Sequence, residues 1–159
     1  MKFKLVSLVS VLESLPGIIE TYISNIPDDK LDTKRNKDAW TIREHVYHIA
    51  DVQKLFYDRI ELLKTVTNPV ITPYFPETQK SISKLYSSLE DAFSVYYAER
   101  KKQIELIHKL STADFNNEAH HKEYGMYNIP LIMNHIISHE YWHMYRIEEI
   151  WLTNEEYFK

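Results

Sequence analysis

Near the C-terminus, the stretch "NHIISHEYWHMYRIEEIW" sets His135, His139 and His143 at successive four-residue steps. On an α-helix, residues four apart lie about 6 Å along the axis and about 40° around it, so an HxxxH pair aims two imidazoles at a common point. Imidazole nitrogen is a standard ligand of zinc-like ions, and metal binding is the chemistry this spacing suggests. The apolar residues Ile129, Ile132, Met133, Ile136, Ile147, Ile150 and Trp151 define the inward face of that helix. Winding then places His143 inside the arc, His139 on its edge and His135 a further ~40° outward. His139 and His143 are the inward pair, and His135 flanks them. Glu140 falls on the same apolar face, where a carboxylate needs a partner.

Two histidines do not complete a site, because catalytic zinc-type centres take three protein ligands and keep a position open for water or substrate. The stretch "WTIREHVYHIAD" offers the third. Its apolar arc takes in Ile42, Val46, Ile49, Val52, Phe56 and Ile60, with His45 near the middle and His48 towards one side; periodicity does not choose between them. Asp51, one turn beyond His48, is read first as a partner in a helix ion pair, with acceptor or proton carrier at the site as its alternative role. Tyr47, Tyr141 and Trp142 are candidate pocket walls, although aromatics at helical spacing are more often core. His108, His120 and His121 fall at a helix end and in a loop and are read as solvent-exposed. HxxxH alone lacks the glutamate of the HExxH motif and is not specific. Its core-facing position is the stronger signal, since several buried imidazoles facing one another without a metal would be costly to satisfy.

These side chains need helices to hold them, and four long segments carry apolar residues at helical spacing, which predicts an all-α four-helix bundle. The first runs over about residues 3 to 25, with Pro16 and Gly17 expected to kink or restart it and Ser14 as a cap. The second begins at Thr41, which with Glu44 makes a capping box, and runs to about Lys64. "TVTNPVITPYFPETQ" contains three prolines and is expected to be a long crossover bordering a pocket. The third runs from about Glu77 to Leu110, interrupted by Arg100, with "RKKQIELIHK" read as a solvated face. After a loop, "STADFNNEAHHKEYGMY", Asn128 caps the fourth, Pro130 sits in its first turn, and the helix reaches about Leu152.

A chain of 159 residues fits one domain, here 1–159, large enough to bury about two-thirds of the surface of its unfolded form. Only two glycines and six prolines favour long helices over many turns. A net charge of −4 supplies no basic stripe for a phosphate backbone, so nucleic acid is not an expected partner. With no cysteine, thiolate nucleophiles and Cys-containing zinc motifs are excluded, and any metal must sit on nitrogen and oxygen ligands. "MKFKLVSLVSVLESLPG" has a basic start and a short apolar run closed by Glu13; it is read as helix, no membrane span is expected, and the chain is placed in the cytoplasm.

"AWTIREHVYHIAD" resembles the tryptophan, serine or threonine, glutamate and histidine pattern that opens the second helix of the DinB-like (DinB/YfiT) metalloenzymes. "HIISHEYWHMYRI" is similar to their closing histidine motif, and "LESLPGIIETYISNIPDDKL" suits their first helix, so the resemblance spans nearly the whole chain. It implies an up-down-down-up bundle with a long crossover between helices 2 and 3. It selects His48 over His45 and gives His48, His139 and His143 as ligands of one divalent ion, nickel or zinc. Some members are thiol-dependent transferases using bacillithiol, mycothiol or glutathione, and nothing in the resemblance implies DNA binding. Where many members continue with arginine, glycine and glutamine, this chain has Met144, Tyr145 and Arg146. That departure leaves the ligand set intact but detaches substrate class and subunit packing from the family pattern.

The resulting expectation is a metal-dependent enzyme of thiol-transferase or hydrolase type acting on a small molecule, with a low-molecular-weight thiol among the candidate partners. Asp51, Glu140 and His135 are the candidates for positions around the ligands. The rival readings are a non-catalytic metal or small-ligand binder and a partner-binding bundle with structural histidines. An exposed apolar helix face would provide a homodimer interface.

Overall fold

The computed structural model describes residues 2–75 and 82–157 and contains four long helices: α1 (Lys2–Ser24), α2 (Ile42–Thr65), α3 (Leu89–His108) and α4 (Ile129–Leu152). Two starts follow from their caps. Thr41 Oγ1 accepts the Glu44 N–H at 3.0 Å while the Glu44 carboxylate accepts the Thr41 N–H at 2.9 Å, closing the capping box on α2. Asn128 Oδ1 accepts the Leu131 N–H at 3.1 Å, and Pro130 occupies the first turn of α4, where its missing donor costs nothing.

Two expectations are corrected. α1 runs through Pro16 without restarting, and Ser14 donates its hydroxyl to the Ser10 carbonyl instead of capping a new helix. Leu12, Leu15, Ile19 and Ile23 are buried on both sides of the proline, so packing holds together a turn that has lost one backbone bond. α3 begins at Leu89, not near Glu77, because Ser88 caps it by accepting the Asp91 N–H at 3.0 Å. Residues 77–81 of that expected segment lie outside the described residues, and Ile82–Lys84 makes a single 3-10 turn. Beside the expected four-helix bundle stands a small sheet. β1 (Val70–Ile71), β2 (Glu118–His121) and β3 (Gly125–Asn128) form a small sheet in that order, β1 parallel to β2 and β2 antiparallel to β3. Gly125, at φ 76°, takes the left-handed conformation that closes the tight β2–β3 turn. The sheet ties the proline-containing crossover to the hairpin, and the alternation of β2 buries Ala119 and His121.

The core has two ends. Leu12, Phe56, Ile60, Leu63, Leu106, Ile107, Ile132, Met133 and Ile136 pack at one. Ile19, Ile23, Val46, Tyr47, Ala50, Ala92, Phe93, Tyr96, Ile147 and Ile150 pack at the other. α1 and α4 start in the first group and finish in the second, whereas α2 and α3 run the opposite way, which is the up-down-down-up order. α2 packs on α3 and α4, and α1 packs on the same two helices.

Midway along the bundle a buried polar network replaces apolar packing. Arg100 donates to Glu140 at 2.5 Å, to Gln53 at 2.9 Å and to the Leu12 carbonyl at 3.1 Å. Tyr96 and Gln53 donate to the remaining lone pairs of Glu140 at 2.7 and 2.9 Å. The "RKKQIELIHK" segment is therefore only partly a solvated face, since Arg100, Gln103, Leu106 and Ile107 are buried. By length and composition Leu5–Ser24, with mean hydropathy 1.3, could cross a membrane, which the sequence reading did not anticipate; in the fold its Leu12, Leu15 and Ile19 stripe is buried inside the bundle.

Candidate metal centre

Capping fixes where α2 begins, and this places His45 and His48 in its first two turns, opposite His139 and His143 of α4. All four rings meet. His48 Nε2 lies 3.1 Å from His139 Nε2, and His143 Nε2 lies 3.1 Å from the same atom. The ligand atoms of His48, His139 and His143 all fall within 4.8 Å of one another. His45 does not join them: its Nδ1 lies 2.8 Å from His143 Nδ1, on the far side of that ring. Periodicity had left His45 and His48 open; the tertiary structure puts one in the converging trio and the other behind it.

The donor set suits a cation. Ligands 2.0–2.1 Å from one ion in octahedral or tetrahedral geometry stand about 2.8 to 3.4 Å apart, and the two 3.1 Å separations fall in that range. The rings are also in the protonation state a metal needs. Burial pushes His45 and His48 down to about 4 and His139 to about 3, with further lowering by Arg146 on His45, His45 on His48, and His48 and His135 on His139. His143 is lowered further still, by burial and by its three histidine neighbours. Aromatic side chains hold the planes. Trp40 stacks on His143 with an interplanar angle of 6° and tilts against His48, Trp142 meets His143 edge-on, and Phe56 meets His139.

The trio lies on the wall of a cavity of about 510 Å³ bounded by the segment before α2, by α2 and α4, by the crossover at Pro73 and Tyr74, and by the β2–β3 turn. His135 also lines it, with its Nδ1 2.6 Å from the Tyr127 hydroxyl and its ring centroid 6.4 Å from that of His139. Asp51 accepts from the Tyr74 hydroxyl at 3.3 Å, and the Tyr74 ring stacks on His48, so Asp51 reaches the site only through that tyrosine. Glu140 does not face the histidines at all. One residue of helix turns it about 100° from His139, into the Gln53, Tyr96 and Arg100 network. Of the expected pocket aromatics only Trp142 lines the cavity; Tyr47 packs in the core against Tyr86, and Tyr141 is exposed.

Tyr145 points to solvent, whereas Arg146 lines the cavity, sits over the Trp142 ring and pairs with Glu149, which also binds Arg35 at 2.6 Å. His121 corrects the sequence reading, because it is 1% exposed and lines the same cavity. Sequence reasoning missed this residue, together with Arg59, Tyr127 and the bond from His45. The signal for His121 is strand alternation, which is readable only once β2 is recognised as a strand.

Comparison with known proteins shows the family and the fold. The model of the DinB superfamily matches residues 12–147. A protein of Oceanobacillus iheyensis with the provisional name metal-dependent hydrolase is 30% identical over 124 residues, covering 76% of this chain and 70% of the relative. A Bacillus mycoides protein with the same provisional name is 26% identical over 117 residues, covering 74% of this chain and 68% of its own. Among solved structures, Bacillus subtilis YfiT superposes with a TM-score of 0.79 at 22% identity, covering 91% of this chain and 83% of that one. YfiT is described as having an unusual four-helix bundle topology, and the likeness shows that the fold is shared.

Proposed function

Because the chain belongs to the DinB superfamily, we propose that His48, His139 and His143 hold one divalent metal ion, nickel or zinc, and that the protein is a metal-dependent hydrolase. The observation that carries this reading is the convergence of three neutral Nε2 atoms on one point at the edge of a cavity. The provisional names of the relatives, which specify metal-dependent hydrolysis, support the choice of reaction. When bound, such an ion supplies Lewis acidity, polarising a carbonyl and lowering the pKa of a water or thiol that coordinates it.

The chain's own residues prepare that chemistry. An ion held on Nε2 would leave the His143 proton on Nδ1, 2.8 Å from His45 Nδ1, which would accept it, so that the pair would fix the tautomer of both rings. Trp40, Phe56 and Trp142 hold the imidazole planes and exclude water from their backs. Asp51 keeps the Tyr74 ring against His48 by accepting its hydroxyl. A small-molecule substrate enters from the cavity side, where the trio is open.

Elemental analysis of protein purified without a histidine tag tests the first part: close to one equivalent of nickel, zinc or a similar ion is expected, with His48→Ala and His139→Ala losing most of it. Equal metal in the parent and both variants would remove the site. For the reaction, metal-loaded protein is assayed against esters and amides, and separately against low-molecular-weight thiols paired with electrophiles. Hydrolysis that disappears on chelation is the expected result. Product only with the thiols would make the protein a transferase, and no turnover in either panel would make it a binder.

A further inference from the structure

Two buried donors on the cavity wall lack the acceptor their chemistry calls for. Arg59, three turns beyond His48 on α2, is 6% exposed and lines the cavity. Its guanidinium donates to the Thr72 carbonyl at 3.2 Å and neighbours the Tyr127 hydroxyl. Among the described residues no carboxylate comes within 4.0 Å of it; Glu123, on the hairpin turn, also lines the cavity but is exposed to solvent and makes no ion pair with Arg59. Arg100 is just as buried but is matched by Glu140 at 2.5 Å. Removing a guanidinium from water without a counter-charge costs free energy that an anion would return.

His121 is the second donor. Its Nδ1 accepts the backbone N–H groups of Glu123 and Tyr124, both at 3.2 Å, so its proton must reside on Nε2. That Nε2 is buried and has no partner among the described residues. Arg59 binds the carbonyl of Thr72, the residue after Ile71, and Ile71 pairs with His121 in the sheet, so the two donors share one end of the cavity.

We propose that Arg59 and His121 bind the carboxylate of an elongated, otherwise apolar substrate whose reacting group lies at the histidine trio. The location of the reacting group rests on the metal-centre reading above; the carboxylate site does not. The planar guanidinium fork matches the two oxygens of a carboxylate, and the neutral His121 N–H supplies a further buried donor to it. Eleven residues of helix separate Arg59 from His48, about 16 Å along the axis before the side chains reach towards each other. Val52, Leu55 and Phe56 line the wall between them, which suits an apolar body.

The test titrates 4-phenylbutyrate and its neutral amide, 4-phenylbutyramide, into cobalt-loaded protein by calorimetry, with the visible cobalt spectrum followed in parallel. The acid is expected to bind at least tenfold more tightly than the amide without altering the cobalt bands. Arg59→Met abolishes that preference, Arg59→Lys keeps part of it, and His121→Phe reduces it several-fold, all with unchanged metal content. Equal binding of acid and amide, no binding of the acid, or a preference that survives Arg59→Met would overturn the proposal. A cobalt spectrum that changes with the acid would also overturn it, because the carboxylate would then sit on the ion. If Arg59→Met does not fold, the acid–amide comparison in the parent and Arg59→Lys still decides. Loss of metal would sink the preceding functional reading, whereas the calorimetric preference still reports on Arg59 in the same protein.

Discussion

His45 and His48 have the same chemistry, stand three residues apart and are both buried, yet they take different positions. His48 presents Nε2 to the other two rings, while His45 presents Nδ1 to the rear of His143. The ring behind a ligand fixes its tautomer, and loss of such a partner typically weakens metal affinity by about 10–100-fold. His45→Ala is therefore expected to lower divalent-metal affinity by that factor, measured by competition with a chelator of known strength, while one equivalent still binds at saturation. A change below about twofold would make the bond incidental. Side-chain type and helix winding made the His139–His143 pair legible. The role of His45 was not legible, because the sign of one rotation decides which nitrogen of which ring it meets.

At the level of elements, the caps at Thr41 and Asn128 set the axial position of α2 and α4, and both were readable from local hydrogen-bonding chemistry. What joins the helices is less local. Glu140 on α4 meets Gln53 on α2 and Tyr96 and Arg100 on α3 with no exposure. Removing one partner of a buried ion pair strands the other, at a cost of about 3–5 kcal/mol. Glu140→Ala should lose that much stability in chemical denaturation and keep its metal stoichiometry, since Glu140 does not touch the histidines. Metal loss in the folded variant would show that the network also orients the site. The sheet escaped the sequence reading because its strands are only two to four residues long, and β1 pairs with a segment far along the chain.

For the molecule as a whole, the buried His45, His48 and His143 and the half-buried His139 link proton uptake to folding. Against an unperturbed value of 6.5, the fold holds His45 and His48 at about 4 and His139 at about 3, chiefly through burial. Below 6.5 the unfolded chain takes up protons that the folded chain refuses, so stability from these groups is complete above 6.5 and declines as pH falls towards 4. The thermal midpoint of the metal-free protein should drop across that window, and the loaded protein should release its ion over the same range. A His48→Gln, His139→Gln double variant should show a shallower drop. If its profile matched that of the parent, other groups would control acid stability.

By itself the sequence determined the helical periodicity, the two main caps, the inward pair on α4 and the restriction of any metal to nitrogen and oxygen ligands, because each of these follows from local spacing or composition. Residue spacing left His45 and His48 open and the family resemblance selected His48; only the tertiary structure decided that His45 stands behind His143, that Glu140 turns away, and that Arg59 and His121 line one cavity with the trio. Those outcomes depend on the relative rotation and register of packed helices and on the pairing of a two-residue strand with a hairpin, which brings segments far apart in the chain to one cavity.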